Sequence, residues 1–399
     1  MDSISIIVQK LNGGGAERAA ANLSIALSEL YDVHLIVFDG REIKYPYSGT
    51  LHNLKMPPNE SGIGKLVNVL KRSATVKKIK KENHIIASIS LMDGANLVNV
   101  LSRAGDKVFP SIRIQMSKVP KRMRKGKLKA SEVWKLRYLA EHSDKIVAVA
   151  KGVEYDLITN CGVPREKVTT IYNMCDSNVI LKNTALNEKD VEDMPLTSIT
   201  TMGRLIHQKG QWHLLRAFSK VLESIPYAHL YILGDGPLEE RLKQLSDKLM
   251  IKDNVHFPGF VEAPHAYIKK SRVFVLPSLF EGMSNTILEA LNCGTPVIAT
   301  DCESGSREIL APGTGFPRKI GAVEYAEYGV LTTVGDSGHF NAADELTEDE
   351  MQLTKAIAAL LEDTKLREYY SSQSAARANA FSFCEIANEW KLLIEEDLN

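Results

Sequence analysis

Short β-branched runs alternate with helical patterns from the first residues of the chain. ISIIV (4–8) is an apolar run of strand length, Ala20, Leu23, Leu27 and Leu30 recur at spacings of three and four on one helical face, and VHLIVF (33–38) is a second strand. The order predicts a βαβ unit. Further buried strands are predicted at IIASISL (85–91), SIRIQ (111–115), KIVAVA (145–150) and VTTIY (168–172), because near-continuous apolar runs mark strands covered on both faces. Gly162 followed by Pro164 stops the helix between the last two.

The rhythm breaks at 176–197, a polar and acidic stretch that reads as a linker. It then restarts. SITTM (198–202), HLYIL (229–233), VHF (255–257), VFVL (273–276) and PVIA (296–299) are predicted strands, separated by helical patterns near 210–224, 237–249, 264–271 and 284–292. The tail from 347 reads as helices, and the last carries Phe381, Ile386, Trp390 and Leu393 on one stripe, compatible both with crossing back to the first domain and with packing on the second. The expected organisation is α/β, with two parallel-sheet domains at 1–175 and 198–375, a linker at 176–197 and a closing helix at 376–399. Ligands of such sheets sit at the carboxyl ends of the strands, which makes a cleft between the halves the expected site.

The formal net charge is zero, but residues 1–175 hold 28 Lys and Arg against 16 Asp and Glu, and the remainder 21 against 33. A basic first half anticipates an anionic partner such as phosphates or a membrane surface. Two runs, KLVNVLKRSATVKKIKK (65–81) and KVPKRMRKGKLK (118–129), each hold seven Lys and Arg and no acid. As a helix the first sets its cations beside Leu66, Val69, Leu70 and Val76, which suits an anionic bilayer. Neither run interleaves aromatics, which argues against nucleic acid. The five cysteines (Cys161, Cys175, Cys293, Cys302, Cys384) are odd in number and form no CxxC pair, against both a disulfide framework and a thiolate metal cluster. No stretch approaches the ~18 apolar residues of a membrane span. A cytoplasmic protein, soluble or peripheral on the membrane, is expected.

Chemistry enters with the loops that follow strands. NGGGAER (12–18) lies between the first strand and helix, where Gly13, Gly14 and Gly15 let backbone amides approach a ligand and the positive helix end favours an anion. The spacing is neither GxGxxG nor a P-loop. MGRLIHQKG (202–210) places Arg204 and Lys209 at a strand's carboxyl end, a fork-shaped guanidinium and a point-charge ammonium suited to a diphosphate. LGDGPL (233–238), with Gly234, is another Gly-rich turn.

The stretch FEGMSNTILEALNCGTPVIAT (280–300) contains two acids, Glu281 and Glu289. Ser284 or Asn285 caps the predicted helix, so Glu281 precedes it while Glu289 sits in its second turn. The two carboxylates therefore do not share a face, against a simple acid/base couple. Glu289 is surrounded by Ile287, Leu288, Ala290 and Leu291, and a buried acid there needs a polar partner, either a ligand hydroxyl or a structural one.

The pair EGMSNTILE, followed by ALNCGTPVIATDCESGSREIL, resembles the E-x7-E signature of the family 4 (group 1) retaining glycosyltransferases, of the bacterial capsule, O-antigen and lipid-linked oligosaccharide type. GGGAER, GRLIHQKG, LGDGPLEERL, PGF (258–260), EYGVL (327–331) and FSFCEIANEWKLLI extend the likeness in the family's order over nearly the whole chain. It implies the GT-B fold, two Rossmann-like domains facing each other across a cleft, with the acceptor on the first and the nucleotide sugar on the second.

Carried over position by position, Arg204 and Lys209 bind the donor diphosphate, Glu281 contacts the donor sugar, and Glu289 holds the ribose. The backbone of Gly282, Met283, Ser284, Asn285 and Thr286 lines phosphate and sugar, Gly234 belongs to the donor side, and Gly13 to Gly15 shape the space toward the acceptor. The implied partners are a nucleotide sugar, expected to be carried on UDP, a polyprenyl-diphosphate-linked or other glycan acceptor and an anionic membrane surface; no metal or other cofactor is implied. The chain departs from the family near position 115, where relatives carry a histidine and this sequence has Gln115 and Met116; Arg113 is the nearest candidate replacement. A nucleotide-sugar 2-epimerase or a phosphorylase of the same fold, or a non-enzymatic sugar-nucleotide-binding partner, are the alternatives.

Overall fold

The computed structural model describes residues 1–58, 62–119, 122–124, 127–186, 188–315, 320–336, 338 and 340–396. They form two compact units, one of Met1–Met174 with Phe381–Asn399 and one of Cys175–Ala380.

The first unit is a seven-stranded sheet in the order β3-β2-β1-β4-β5-β8-β9, built from β1 (Ser3–Val8), β2 (Asp32–Val37), β3 (Thr50–Asn53), β4 (Ile85–Leu91), β5 (Lys107–Ile112), β8 (Ile146–Ala148) and β9 (Val168–Thr170). A small hairpin, β6 (Met123–Arg124) with β7 (Lys127–Leu128), stands apart from it. All pairings in the large sheet are parallel. Helices α1 (Gly15–Leu27), α2 (Gly62–Glu82), α3 (Asp93–Leu101), α4 (Ala130–His142) and α5 (Lys151–Thr159) make the crossovers.

The strand expected at 111–115 lies earlier, at Lys107–Ile112. Pro110 conceals it, because a residue without an N–H reads against a central strand. Arg113 and Gln115 consequently stand beyond the strand's carboxyl end. β3, with the sequence Thr-Leu-His-Asn, has no apolar run to announce it.

In the second unit, α6 (Ser177–Leu186), α7 (Gln211–Ser224), α8 (Glu239–Lys248), α9 (His265–Lys270), α10 (Asn285–Asn292), α11 (Ser306–Leu310), α12 (Glu348–Glu362) and α13 (Thr364–Asn379) surround another seven-stranded sheet. Its order is β12-β11-β10-β13-β14-β16-β15, from β10 (Ser198–Met202), β11 (His229–Leu233), β12 (Val255–Gly259), β13 (Val273–Leu276), β14 (Val297–Thr300), β15 (Glu324–Tyr325) and β16 (Val330–Thr332). Within this sheet, among the described strands, only the edge pair β15–β16 is antiparallel. The core gathers around α7, where Trp212, Leu215 and Phe218 are fully buried with Ile357 and Leu360 of α12.

The stretch 176–197 is not a structureless connection. Asp176 accepts from the amides of Asn178 and Val179 at 2.9 and 3.2 Å and so starts α6, which buries Ile180 and Thr184. Its few buried positions are too sparse to show as a periodic pattern in a polar sequence. At the other end of the chain, α14 (Phe383–Glu395) packs in the first unit: Ile386, Trp390 and Ile394 join Ile4, Ile6 and Leu23 in one core. Trp390 meets the Phe109 ring edge-on at 6.5 Å.

Of the two basic runs, 65–81 forms most of α2, while 118–129 lies partly outside the described residues. Not all of α2's cations face solvent. Lys80 is buried and donates to Asp106 at 2.8 Å, Asn99 Oδ1 at 2.7 Å and Ser88 at 3.0 Å, and Arg72 lies over the Phe38 ring. Leu66, Val67 and Leu70 remain exposed, with Lys65, Lys71, Lys77, Lys78 and Lys81.

Candidate functional site

In an open parallel sheet a crevice forms where the strand order reverses, outside the carboxyl ends of the two strands concerned. In the second unit these strands are β10 and β13, and the loops that follow them, 203–210 and 277–284, carry the motif residues. The loops are fastened together. The amide of Leu279 donates to the Gln208 carbonyl at 2.8 Å, and Gln208 Nε2 donates to the Phe280 carbonyl at 2.9 Å. Gly210 has a positive φ of 61°, and a Cβ there would fall 2.3 Å from the Pro277 carbonyl oxygen, so the approach requires glycine.

This fastening brings Lys209 to Glu281. Lys209 Nζ donates to Glu281 Oε1 at 2.6 Å, and Ser278 Oγ donates to the same oxygen at 2.6 Å. Gln208 Nε2 stands 3.5 Å from the other oxygen. Glu281 is 5% exposed and Ser278 fully buried. Behind them the Ser278 carbonyl accepts from Thr300 Oγ1 at 2.5 Å and from Cys302 Sγ at 3.1 Å. Burial, then the neighbouring Glu281 carboxylate, pushes the Cys302 thiol up to about 12, so it stays protonated as a donor.

Arg204, on the loop after β10, is exposed, and among the described residues its guanidinium has no side-chain partner. Gly234 packs against the start of that loop: its φ is 126°, a Cβ would lie 2.1 Å from the Gly203 carbonyl oxygen, and its amide donates to the Gly259 carbonyl at 2.7 Å. The structure thus gives Gly234 a packing reason to be glycine.

Ser284 is the N-cap of α10, but its hydroxyl pairs with Thr286 Oγ1 at 2.8 Å instead of capping a first-turn amide. Ser304 Oγ donates to the Gly282 carbonyl at 2.6 Å, and Met283 is buried, which fixes the turn into the helix. Asn285 and Thr286 open the helix itself. Glu289 is 2% exposed, with Oε2 3.4 Å from Nε2 of the fully buried His265 on α9. His265 is thus a structural neighbour of the acid, but Oε2 accepts no hydrogen bond from it, so the place for a ligand hydroxyl is not taken. Nothing in the sequence pattern singled out His265, 24 residues away, nor Ser278, Thr300 and Cys302, whose role depends on the pairing of β13 with β14.

In the first unit Gly13 has a φ of 71° and Gly14 is the N-cap of α1. Glu17, nearly buried, folds back so that its Oε2 lies 2.1 Å from where a Gly14 Cβ would be. The chain's own carboxylate covers Gly14, while Gly13 and Gly15 have open space beside them. Arg113 donates to Asn173 and lines, with Ser111 and Trp390, a cavity of about 20 Å³, room for roughly one water. Burial holds the Arg113 guanidinium down to about 10. At the reversal point of this sheet, Met92 follows β4 with φ 77° and ψ 152°, a conformation that glycine adopts with less strain.

Comparison with known proteins agrees with this fold. The family described as Glycosyltransferase Family 4 matches residues 13–179, and that described as Glycosyl transferases group 1 matches residues 183–325. An uncharacterized glycosyltransferase of Methanocaldococcus jannaschii is 43% identical over 198 residues, which span 49% of this chain and 48% of that protein. An N-acetylgalactosamine-N,N'-diacetylbacillosaminyl-diphospho-undecaprenol 4-alpha-N-acetylgalactosaminyltransferase of Campylobacter jejuni is 28% identical over 394 residues, 98% of each chain. Among solved structures, Anabaena HepE in complex with UDP and glucose superposes with a TM-score of 0.73 over 99% of both chains at 18% identity, which shows the fold. With consecutive family matches over 13–179 and 183–325, the chain belongs to the group 1, family 4 glycosyltransferases and has their GT-B fold.

Proposed function

We propose that this glycosyltransferase moves a hexose or N-acetylhexosamine, with retention at the anomeric carbon, from a nucleoside-diphosphate sugar to a lipid-linked oligosaccharide or other growing bacterial surface glycan. UDP is the expected nucleotide. The observation that carries the reading is the pairing of Lys209 with Glu281 at 2.6 Å, on the loops that leave the carboxyl ends of β10 and β13, the first of which also carries the exposed Arg204. The Campylobacter relative, aligned along its whole length and named for a diphospho-undecaprenol-linked acceptor, supports the acceptor class. HepE, solved with UDP and glucose, supports the donor class.

In the transfer the bond from the anomeric carbon to the diphosphate oxygen breaks, and its electron pair leaves with the nucleoside diphosphate. The acceptor hydroxyl oxygen bonds the same carbon, and its proton passes to the departing phosphate on that face. Arg204 and Lys209 neutralise the charge that develops on the leaving group, the role for which fixed cations are worth most, so the reading calls for no metal. Glu281 holds sugar hydroxyls, Glu289 the ribose, and the turn Gly282–Thr286 lines phosphate and sugar. The first unit, with Gly13 to Gly15 and Arg113, receives the acceptor. The exposed apolar and lysine residues of α2 meet an anionic membrane surface. Among the described residues no helix is long and apolar enough to cross a membrane.

Thermal unfolding with UDP, GDP, ADP and dTDP tests the donor class, since a ligand at 100 times its Kd stabilises by about 2.7 kcal/mol. Transfer to a polyprenyl-diphosphate glycan then tests the reaction. Full activity in both Glu281→Ala and Lys209→Ala would overturn the reading.

A further inference from the structure

The site holds two cations in different states. Arg204 is exposed, without a side-chain partner among the described residues, whereas Lys209 already spends its charge on Glu281 at 2.6 Å. An anion arriving at this loop therefore meets one free cation and one that must be taken from a carboxylate.

The carboxylate can lose Lys209. Withdrawing the only partner of a buried charge is strongly unfavourable, but Glu281 Oε1 also accepts from Ser278 Oγ at 2.6 Å, and Gln208 Nε2 stands 3.5 Å from Oε2. Ser278 is itself fixed through its carbonyl by Thr300 and Cys302, so this donor stays in place when the lysine moves. What remains is a negative charge, on a side chain that is 5% exposed while Lys209 covers it, beside the position where a diphosphate would sit.

The two ligands of a transfer cycle differ at this point. A nucleotide sugar brings the diphosphate for Lys209 and also hydroxyl donors that replace the lysine on Glu281. The nucleoside diphosphate left after transfer brings only the anion, so the carboxylate competes with it for Lys209 and repels it. Specificity is a difference of affinities, and an element that opposes the wrong ligand contributes as much as one that favours the right one. We propose that Glu281 makes the site discriminate between nucleotide sugar and spent nucleoside diphosphate, by reclaiming Lys209 when no sugar is present and so expelling the product. The inference rests on the donor reading above.

Equilibrium binding by titration calorimetry separates the two. The probes are inorganic pyrophosphate, which is independent of the base, UDP, and UDP-N-acetylglucosamine, measured on the parent protein, Glu281→Gln, Lys209→Gln and the double variant. Glutamine keeps the shape of the side chain and its bond from Ser278 while removing the charge. Pyrophosphate and UDP are expected to bind Glu281→Gln about tenfold more tightly than the parent, a gain that disappears in the Lys209→Gln background because the two residues are coupled. The ratio of UDP to UDP-sugar affinity is expected to move toward UDP. Equal or weaker pyrophosphate binding by a folded Glu281→Gln, or the same gain without Lys209, overturns the inference and leaves the donor reading standing. A parent protein that binds none of the three probes overturns the inference together with its UDP-sugar premise.

Discussion

Ser278 Oγ donates to Glu281 Oε1 at 2.6 Å, on the same oxygen that receives Lys209. The serine is fully buried and holds the acid in place from within the same loop. A hydrogen bond to a charged group contributes about 1.5–3 kcal/mol. Ser278→Ala is therefore expected to lower the transfer rate roughly 10- to 100-fold with donor KM changed little, because the loop is still pinned by Gln208 and Gly210. Steady-state kinetics on nucleotide sugar checks this; unchanged kcat would remove Ser278 from the positioning of Glu281.

The second unit is held by a buried ion pair away from the site. Arg216 Nε donates to Glu350 Oε1 at 2.8 Å and its Nη2 to Oε2 at 3.1 Å, with both side chains fully buried, and His213 Nδ1 stands 2.7 Å from the same carboxylate. Arg216→Ala leaves Glu350 buried without its guanidinium and is expected to cost about 3–5 kcal/mol. Urea unfolding measures it. The double replacement Arg216→Met with Glu350→Leu is expected to cost less than the single one, since no charge is stranded.

Each sheet carries a histidine pair on adjacent strands near one edge. His34 Nδ1 lies 2.9 Å from His52 Nε2 on β2 and β3, and His229 Nδ1 lies 3.0 Å from His256 Nε2 on β11 and β12. Burial, then the facing imidazole, lowers the pKa of His52 and of His256, and burial lowers that of His229. The folded chain thus binds fewer protons than the unfolded chain just below the usual histidine value of about 6.5. Stability is fully present above that pH and is lost as pH falls through the lowered folded values. Urea midpoints between pH 7.5 and 5 are expected to fall, and less steeply in a His52→Gln, His256→Gln variant; an identical slope in both would contradict the assignment.

On α2, Lys77, Lys78 and Lys81 are exposed on the helix that also exposes Leu66 at 62% and Leu70 at 58%. A lysine near an anionic surface contributes about 1 kcal/mol. Replacing the three by glutamine is expected to weaken binding to phosphatidylserine vesicles on the order of 100-fold. Flotation or fluorescence titration reads the change, and equal binding by the variant would discard α2 as the contact.

The second unit was largely legible because its strands are near-continuous apolar runs bounded by glycine, proline and polar loops. SITTM, HLYIL and VFVL appear as β10, β11 and β13 with the same limits. What escaped had no local signature. β3 is too short and polar, Pro110 disguised β5, and α6 hides in an acidic stretch. In the site, the motif loops were readable, but the bond between Lys209 and Glu281 joins residues 72 apart in sequence and depends on β10 lying beside β13. His265 beside Glu289 depends likewise on how α9 meets α10.

The place of α14 bears on the order in which the protein can be made. Ile386 and Trp390, which complete the core around β1 and α1, are translated only after the whole of Cys175–Ala380. A ribosome therefore delivers every residue of the second unit before the first unit can close its interior. Domains generally fold as units in the order of their synthesis, but here the amino-terminal sheet must wait, with Ile4, Leu23 and Phe109 lacking their last neighbours, for the final helix to emerge.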